Sequence, residues 1–471
     1  MARIGGGTHI ARSGYPYRAD MRSWSLGQSV IVAVGIGVLG WSIARNGPAT
    51  GMALIFLAQL VFLAAAAWRV LLILASLRLD PEPEPAIDLP RYTILAALLD
   101  EAEILPQLVE RLDAIDYPRT RLEGFLLLED HDHSTQAAAA ACVMPGWLTV
   151  LIVPPGGPRT KPAALNAGLA ASSGTLLTVY DAEDDPDPQQ LREAAARFAA
   201  DPTGRLATLQ APLRIRPPAG SERSFLGRQF AVEYAALFEV TLPAMARLGF
   251  PFPLGGTSNH FSVQALRAVG GWDAHNVTED ADLGFRLWRS GYRLGTMRRP
   301  TYETPPGDMV DWLPQRTRWL KGFMQTWGVH TRSPVGMGWR GHLSLMMTLG
   351  LSLLAALAHA PSLAWLIATI AISTVAGLPP ESPWFALTVL VVGMAAAWMN
   401  GKIGARRAGV PCTIVDMIVA PAYWSLLTLA FGHAVWRLAA EPFAWDKTRH
   451  RRDPAIDVAA LAEVEAGREA A

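Results

Sequence analysis

The chain has 471 residues, 51% of them hydrophobic, and 41 basic against 41 acidic side chains, so its formal charge is zero. That length allows two or three domains, and the balanced charge argues against a dedicated nucleic-acid binder. Two cysteines, Cys142 and Cys412, provide neither a disulfide framework nor a Cys-rich zinc site.

Hydrophobicity is concentrated towards the two ends. Residues 27–44 and 51–77 are apolar runs long enough to cross a bilayer, the second carrying Arg69 near its end. The first reads as a retained span rather than a cleaved signal, because a second run follows at once and no A-x-A site stands out. Further runs cover 342–358, 361–376, 384–399 and 414–438. Arg3, Arg12, Arg18 and Arg22 precede the first run, and Lys447, Arg449, Arg451 and Arg452 follow the last. Basic flanks stay on the cytoplasmic side, so both termini and the central part are expected there, which six spans satisfy. In that count Lys402, Arg406 and Arg407 face outward, which leaves one C-terminal segment open as interfacial or re-entrant.

Between the two groups, residues 88–340 read as a soluble domain. "YTILAALL" from Tyr92 is a strand, "EAEILPQLVERLDAI" has helical spacing, and "EGFLLLEDHDHST" is a second strand ending in acids. "LTVLIVP", "KPAALNAGLAAS" and "TLLTVYDAED" repeat strand, helix and strand. Such alternation predicts a parallel sheet covered by helices on both faces, with ligands beyond the carboxyl ends of its strands. Glu101 and the acidic stretches 129–132 and 181–187 all fall at such ends.

Asp181-Ala182-Glu183 after a buried strand suits Mg2+ or Mn2+ held against a diphosphate, since these metals take hard oxygen ligands and complete their shell with water and phosphate. A plain acidic turn is the alternative, and Asp184 is a rival second ligand. "NVTEDADLGFRLWRSGYR" predicts a short helix with Thr278 as its N-cap and Glu279 and Asp280 in its first turn. Acids there satisfy the helix dipole; the functional reading makes Asp280 a general base that takes a proton from an attacking hydroxyl. "LPQRTRWLKGFMQTW" predicts an amphipathic helix before the membrane, suited to the bilayer interface. Gln315, Arg318 and Trp319 share one of its faces and offer an amide, a guanidinium for a diphosphate and an indole for stacking a sugar. Lys161 and Asn166 in "TKPAALNAGL" are partners for a diphosphate, and "PLGGTSNHF", with Asn259, is a loop suited to an acceptor site. His131 and His133 lack a third distant ligand for a transition metal.

In this order, "LLLEDHDHST", "YDAED", "NVTED" and "QRTRW" resemble the motifs of membrane-embedded family 2 glycosyltransferases such as bacterial cellulose, curdlan and hyaluronan synthases. The resemblance runs from about Tyr92 to His450. It implies an α/β GT-A domain, a Rossmann-like mixed sheet, inserted between transmembrane helices. The implied division is a cytoplasmic segment 1–24, two transmembrane helices in 25–80, a cytoplasmic GT-A domain 88–340 with interfacial helices at 308–330, about four transmembrane helices in 341–440, and a cytoplasmic tail 441–471. "FAWDKTRH" in that tail resembles a gating loop.

The resemblance further implies Asp280 as base, and Glu101, Asp132, Lys161, Asp181 and Arg318 as nucleotide-sugar contacts, with Asp130 a rival to Asp132. It implies Gln315, Trp319, Asn259 and Glu279 on the acceptor side, and Asp181 and Glu183 on Mg2+ or Mn2+. The expected activity is inverting transfer from a nucleotide-diphosphate sugar, such as UDP-glucose, to a growing polysaccharide of β-glucan type at the bacterial inner membrane. The product would leave through the chain's own helices, with a periplasmic export partner as a further expectation. The alternatives are a non-processive transferase acting on a membrane lipid, and a catalytically idle receptor or assembly partner on the same scaffold.

Overall fold

The computed structural model describes residues 19, 25–78, 83–86, 88–216, 224–332, 335–377 and 384–444. The first apolar region is helical over Leu26–Ser76 (α1), but Asn46 leaves the helical conformation at φ −160°, ψ 88°. The Ser42 and Thr50 hydroxyl oxygens lie 2.7 Å apart across this point. Eight residues of unbroken helix would separate them by about 12 Å along the axis. The chain therefore doubles back at Asn46, and the two N-terminal runs are the arms of a helical hairpin.

The central domain is built on a seven-stranded sheet in the order β3-β2-β1-β4-β8-β6-β9. Its strands are β1 (Tyr92–Leu98), β2 (Leu122–Glu129), β3 (Leu148–Val153), β4 (Leu176–Tyr180), β6 (Leu206–Gln210), β8 (Asn259–Ser262) and β9 (Arg293–Thr296). A second sheet joins β5 (Asp185–Pro186), β10 (Thr301–Glu303) and β7 (Leu213–Ile215) in the order β5-β10-β7. Strand β1 pairs in parallel with β2 and with β4, placing Tyr92 opposite Leu122 on one side and Leu176 on the other. Its burial on both faces explains the unbroken apolar run in its sequence.

The expected parallel direction holds for β3, β2, β1 and β4 and again for β6 and β9, and only β8 breaks it. Strand β8 runs antiparallel to both β4 and β6, so the sheet is mixed, and part of the stretch read as a polar loop (Pro253 to Phe261) is a buried strand. Because β2 and β4 flank β1 on opposite sides, successive connections diverge at the β1/β4 boundary. The crevice beyond those two strand ends is where an open α/β sheet binds ligands.

Four further helices shape the site: α2 (Lys161–Ala171), α3 (Phe225–Ala236), α4 (Glu279–Arg289) and α5 (Met309–Thr331). Helix α3 continues through a π-turn at Leu237–Thr241. After them come α6 (Leu351–Val375), α7 (Trp384–Ala408) and α8 (Ile414–Ala440).

Where six spans are expected, the described residues contain four helices long and apolar enough to cross a membrane. The runs 342–358 and 361–376 lie in one continuous helix, Gly338–Val375, since Pro361 is accommodated within it. Helix α7 packs tightly on α3: a Cβ at Gly404 would collide with the Ala235 backbone, and one at Gly401 would press on Val232. Small residues at such a crossing let two helical backbones approach closely. Residues 1–18, 20–24 and 445–471, which include most of the gating-loop-like stretch and the C-terminal tail, fall outside the described residues.

Candidate active site

A cavity of about 230 Å3 opens at the β1/β4 boundary. Strand β1 delivers Glu101 to its rim through Asp100, whose φ of 50° lies in the left-handed region that Asp tolerates. Strand β4 delivers Asp181 and Glu183.

The turn "DAED" is folded by its last member. Asp184 is fully buried; its Oδ2 accepts from the Asp181 amide at 2.8 Å and from the Thr257 hydroxyl. Asp184 thus faces the protein interior, while Asp181 and Glu183 line the cavity. Opposite them, the Lys161 ammonium at the start of α2 donates to Asp181 Oδ1 and, at 2.8 Å, to the Gly256 carbonyl. Burial works against the charge on Lys161, but Asp181, Glu279 and Asp280 outweigh it and raise its pKa.

Helix α4 brings Glu279 and Asp280 to the same cavity from its first turn. Asp280 Oδ1 accepts from the Ala281 amide at 2.7 Å. Burial pushes the Asp280 carboxyl up to about 6, against the opposing pull of that amide, Lys161 and Arg318. Glu279 is raised as well, by burial and then by the Asp280 charge.

The far side of α4 is held by a buried ion pair. Arg286 Nε donates to Asp282 Oδ2 at 2.6 Å, and His330 Nε2 lies 3.0 Å from Asp282 Oδ1, which fixes α4 to α5. Thr278 occupies the predicted cap position, but its hydroxyl makes no bond to the helix amides. Its side chain lies against Gly322 of α5, where a Cβ would clash with it.

From α5, Gln315, Arg318 and Trp319 all reach the cavity, as their shared face requires. Between them in sequence, Arg316 points the other way. It forks onto Glu233 of α3 at 3.0 and 2.6 Å and donates to Tyr423 at 2.9 Å. Its guanidinium lies 4.4 Å from the centre of the Trp319 ring, which fixes the plane of that indole.

The cavity is strongly acidic. Glu101, Glu129, Asp181, Glu183, Glu279 and Asp280 line it, together with Glu233, which is paired to Arg316, and Glu303, whose carboxyl burial pushes up, against three lining cations, Arg159, Lys161 and Arg318. So many carboxylates repel a diphosphate unless a cation bridges them, and Lys161 already rests on Asp181. The hard oxygen donors of Asp181 and Glu183 therefore fit Mg2+ or Mn2+. A different set of three donors lies close enough together for a single ion among the described residues: Glu129, Asp130 and His131 at the end of β2.

Residues 176–400 match the family model described as glycosyl transferase family group 2. The chain matches that model over a little under half of its length. It is 27% identical over 284 residues to the beta-monoglucosyldiacylglycerol synthase of Synechocystis sp., a match covering 58% of this chain and 57% of that protein. It is 24% identical over 246 residues to the poly-beta-1,6-N-acetyl-D-glucosamine synthase of Staphylococcus aureus, covering 52% and 57% respectively. The chain thus spans less than two thirds of either relative. The fold is similar to that of a mannosyltransferase from Pyrobaculum calidifontis solved with GDP-Man and Mn2+. That likeness has a TM-score of 0.53 at 18% identity and covers 82% of this chain and 96% of the other.

Asp132 and Asn259, both expected at the site, do not line its cavity. Asp132 is the N-cap of the helix His133–Ala141. Its carboxylate accepts from the Asp100 amide at 2.6 Å, the Thr135 amide at 3.1 Å and the Ser134 hydroxyl at 2.8 Å, and it does not line the cavity. Asn259 is likewise buried outside the cavity, donating to the Gly255 and Thr257 carbonyls and so shaping the loop that carries Gly256.

Asn166 bonds the backbone of Trp272 through both its oxygen and its nitrogen, at 2.9 and 2.8 Å. It ties α2 to the preceding loop of α4. Glu233 and Glu303 line the cavity without having been singled out in the sequence, and Glu129 was marked only as part of the acidic stretch 129–132. Glu303 sits on a three-residue strand of the second sheet, with no local pattern to mark it.

Proposed function

We propose that the protein is an inverting, metal-dependent glycosyltransferase that moves a sugar from a nucleotide-diphosphate sugar to a membrane lipid. The domain would act on the cytoplasmic face of a bacterial inner membrane that the chain crosses several times. The observation that carries the choice of acceptor is the wall of the cavity opposite the acids. Tyr234, Leu237, Phe238, Leu242 and Phe323 make it apolar, and the helix that supplies Tyr234 packs directly against α7. A lipid hydroxyl could approach along such a wall while its acyl chains stay in the bilayer. The similarity to a glucosyldiacylglycerol synthase supports the same reading. A second reading, polymer synthesis from a donor such as UDP-glucose, is supported by the similarity to a poly-N-acetylglucosamine synthase.

In this mechanism Asp181 and Glu183 would hold a divalent ion, which would neutralise charge growing on the departing diphosphate. Lys161 and Arg318 donate to the same phosphates. Trp319, fixed by Arg316, supports the sugar or the acceptor. Asp280 takes the proton of the acceptor hydroxyl as that oxygen attacks the anomeric carbon from the face opposite the leaving group. A single displacement inverts the centre and needs no enzymic nucleophile.

The test supplies membrane vesicles containing the protein with radiolabelled UDP-glucose or GDP-mannose and Mn2+, beside an Asp280→Asn control. Label extracted into organic solvent in the wild type alone supports the lipid acceptor. Label in material of high molecular weight would replace it with the polymer reading.

A further inference from the structure

We infer that α8, Ile414–Ala440, does not cross the membrane but lies along its surface, so that the chain crosses four times and presents one face of α8 to lipid. This concerns how the domain sits on the bilayer and holds whichever acceptor is used.

The contacts of α8 decide its course. At its start Asp416 accepts from Arg228 Nε at 2.8 Å, and its backbone carbonyl accepts from Gln229 at 2.8 Å, both on α3. In its middle Tyr423 donates to Glu233 at 2.7 Å, and His433 lies 3.0 Å from the Thr317 hydroxyl of α5. Just beyond its end, Lys321 donates to the Ala444 carbonyl at 2.6 Å and Gln325 to the Pro442 carbonyl at 2.7 Å. A helix of 27 residues is about 40 Å long. A span of that length docks one end on a soluble domain and carries the other end through the hydrocarbon. Here the beginning, middle and end all dock on the same domain.

The two faces of α8 differ accordingly. Asp416, Ala420, Tyr423, Ala430 and Ala434 are buried on one side. Val415, Ile418, Ala422, Leu429 and Trp436 are exposed and, at 100° per residue, fall within one narrow stripe on the other. Ile418 is 64% exposed and Trp436 58%. An apolar stripe facing away from the domain, beside helices that enter the bilayer, fits the boundary between headgroups and acyl chains.

The preceding helix agrees. Phe385, at the start of α7, meets Phe56 of the hairpin, with ring centres 5.4 Å apart, whereas its far end returns to the domain. There Arg407 donates at 2.8 Å to the Glu239 carbonyl and to the Ser76 carbonyl, and Lys402 donates to the Cys412 carbonyl at 2.6 Å. The basic cluster that a six-span count turns outward therefore lies on the domain's side, and α8 begins there.

Two measurements on the full-length protein in lipid vesicles test this. Spin labels on single cysteines at Val415, Ile418, Leu429 and Trp436, in a C142S/C412S background, report depth through their accessibility to oxygen and to a water-soluble nickel complex. The expected result is one common depth at the lipid boundary. A spanning helix would spread the labels over about 30 Å, and that spread, or four labels fully exposed to water, would overturn the inference. Independently, Pro411→Cys and Ala440→Cys should both react with an impermeant maleimide from the side that binds the nucleotide sugar. Reaction from opposite sides would overturn it even if the labelled variants were perturbed.

Discussion

Replacing Asp280 with Asn probes the proposed chemistry with little structural cost. Asp280 is buried, and its Oδ1 accepts from the Ala281 amide at 2.7 Å. The Asn carbonyl oxygen can accept the same bond, so the first turn of α4 and the placement of Glu279 should survive. What is lost is the capacity to take a proton. A positioned general base contributes roughly 10²- to 10⁴-fold, which at ~1.4 kcal/mol per factor of ten is about 3–5 kcal/mol of barrier.

The pH profile gives a second readout. Burial raises the Asp280 carboxyl from 3.8 to about 6, and the base works only when ionised. Wild-type kcat/KM should therefore halve near pH 6 and fall about tenfold per unit below it, while the residual rate of the Asn variant should lack that limb. Release of nucleoside diphosphate by the protein in lipid vesicles, followed from pH 5 to 8, measures both. A variant within threefold of wild type, or an identical acid limb in the two proteins, would refute the assignment.

Two further outcomes follow from the geometry. Arg286→Ala leaves Asp282 buried with one cationic partner removed; both side chains are at most 4% exposed, so about 3–5 kcal/mol of stability should be lost. Thermal unfolding in detergent reads this, and a shift equivalent to under ~1 kcal/mol would contradict the pairing. In the wild type, burial pushes Asp282 up, but Arg286 and His330 outweigh it and hold its pKa below the usual value. Its stabilisation is present above the unfolded-state value and fades as pH falls through the depressed one. Asp181→Asn should weaken Mn2+ binding about tenfold or more, read from the free Mn2+ signal in electron paramagnetic resonance without any turnover. Unchanged affinity would move the metal to other carboxylates, with Glu129, Asp130 and His131 the next set to vary.

Much of the site was legible in the sequence because strand ends and helix first turns are local features. A buried apolar strand running into Asp181, a helix opening on Glu279 and Asp280, and three residues on one face of α5 each specify direction through backbone periodicity alone. The parallel order of β1 and β4 brings Glu101 and Asp181 to one cavity, and the packing of α4 and α5 against it brings the others. Asp132 and Asn259 do not line the cavity because Asp and Asn serve equally well as backbone caps. Whether such a side chain turns to a ligand or to a neighbouring backbone group depends on which amides and carbonyls the tertiary fold leaves unpaired. Asp100 and Gly255 supplied those partners here. Glu303 and Glu233 reach the cavity only because separate elements pack around it.

The membrane-facing part divides in the same way. Composition determined which segments are apolar enough for lipid, since that property is a sum over neighbouring residues. It could not separate a helix that crosses from one that lies along the surface, because both carry apolar stripes of similar length. The tertiary contacts of α8 distinguish the two: hydrogen bonds from one domain reach its beginning, middle and end, and a helix so tethered has no free end to send through the bilayer.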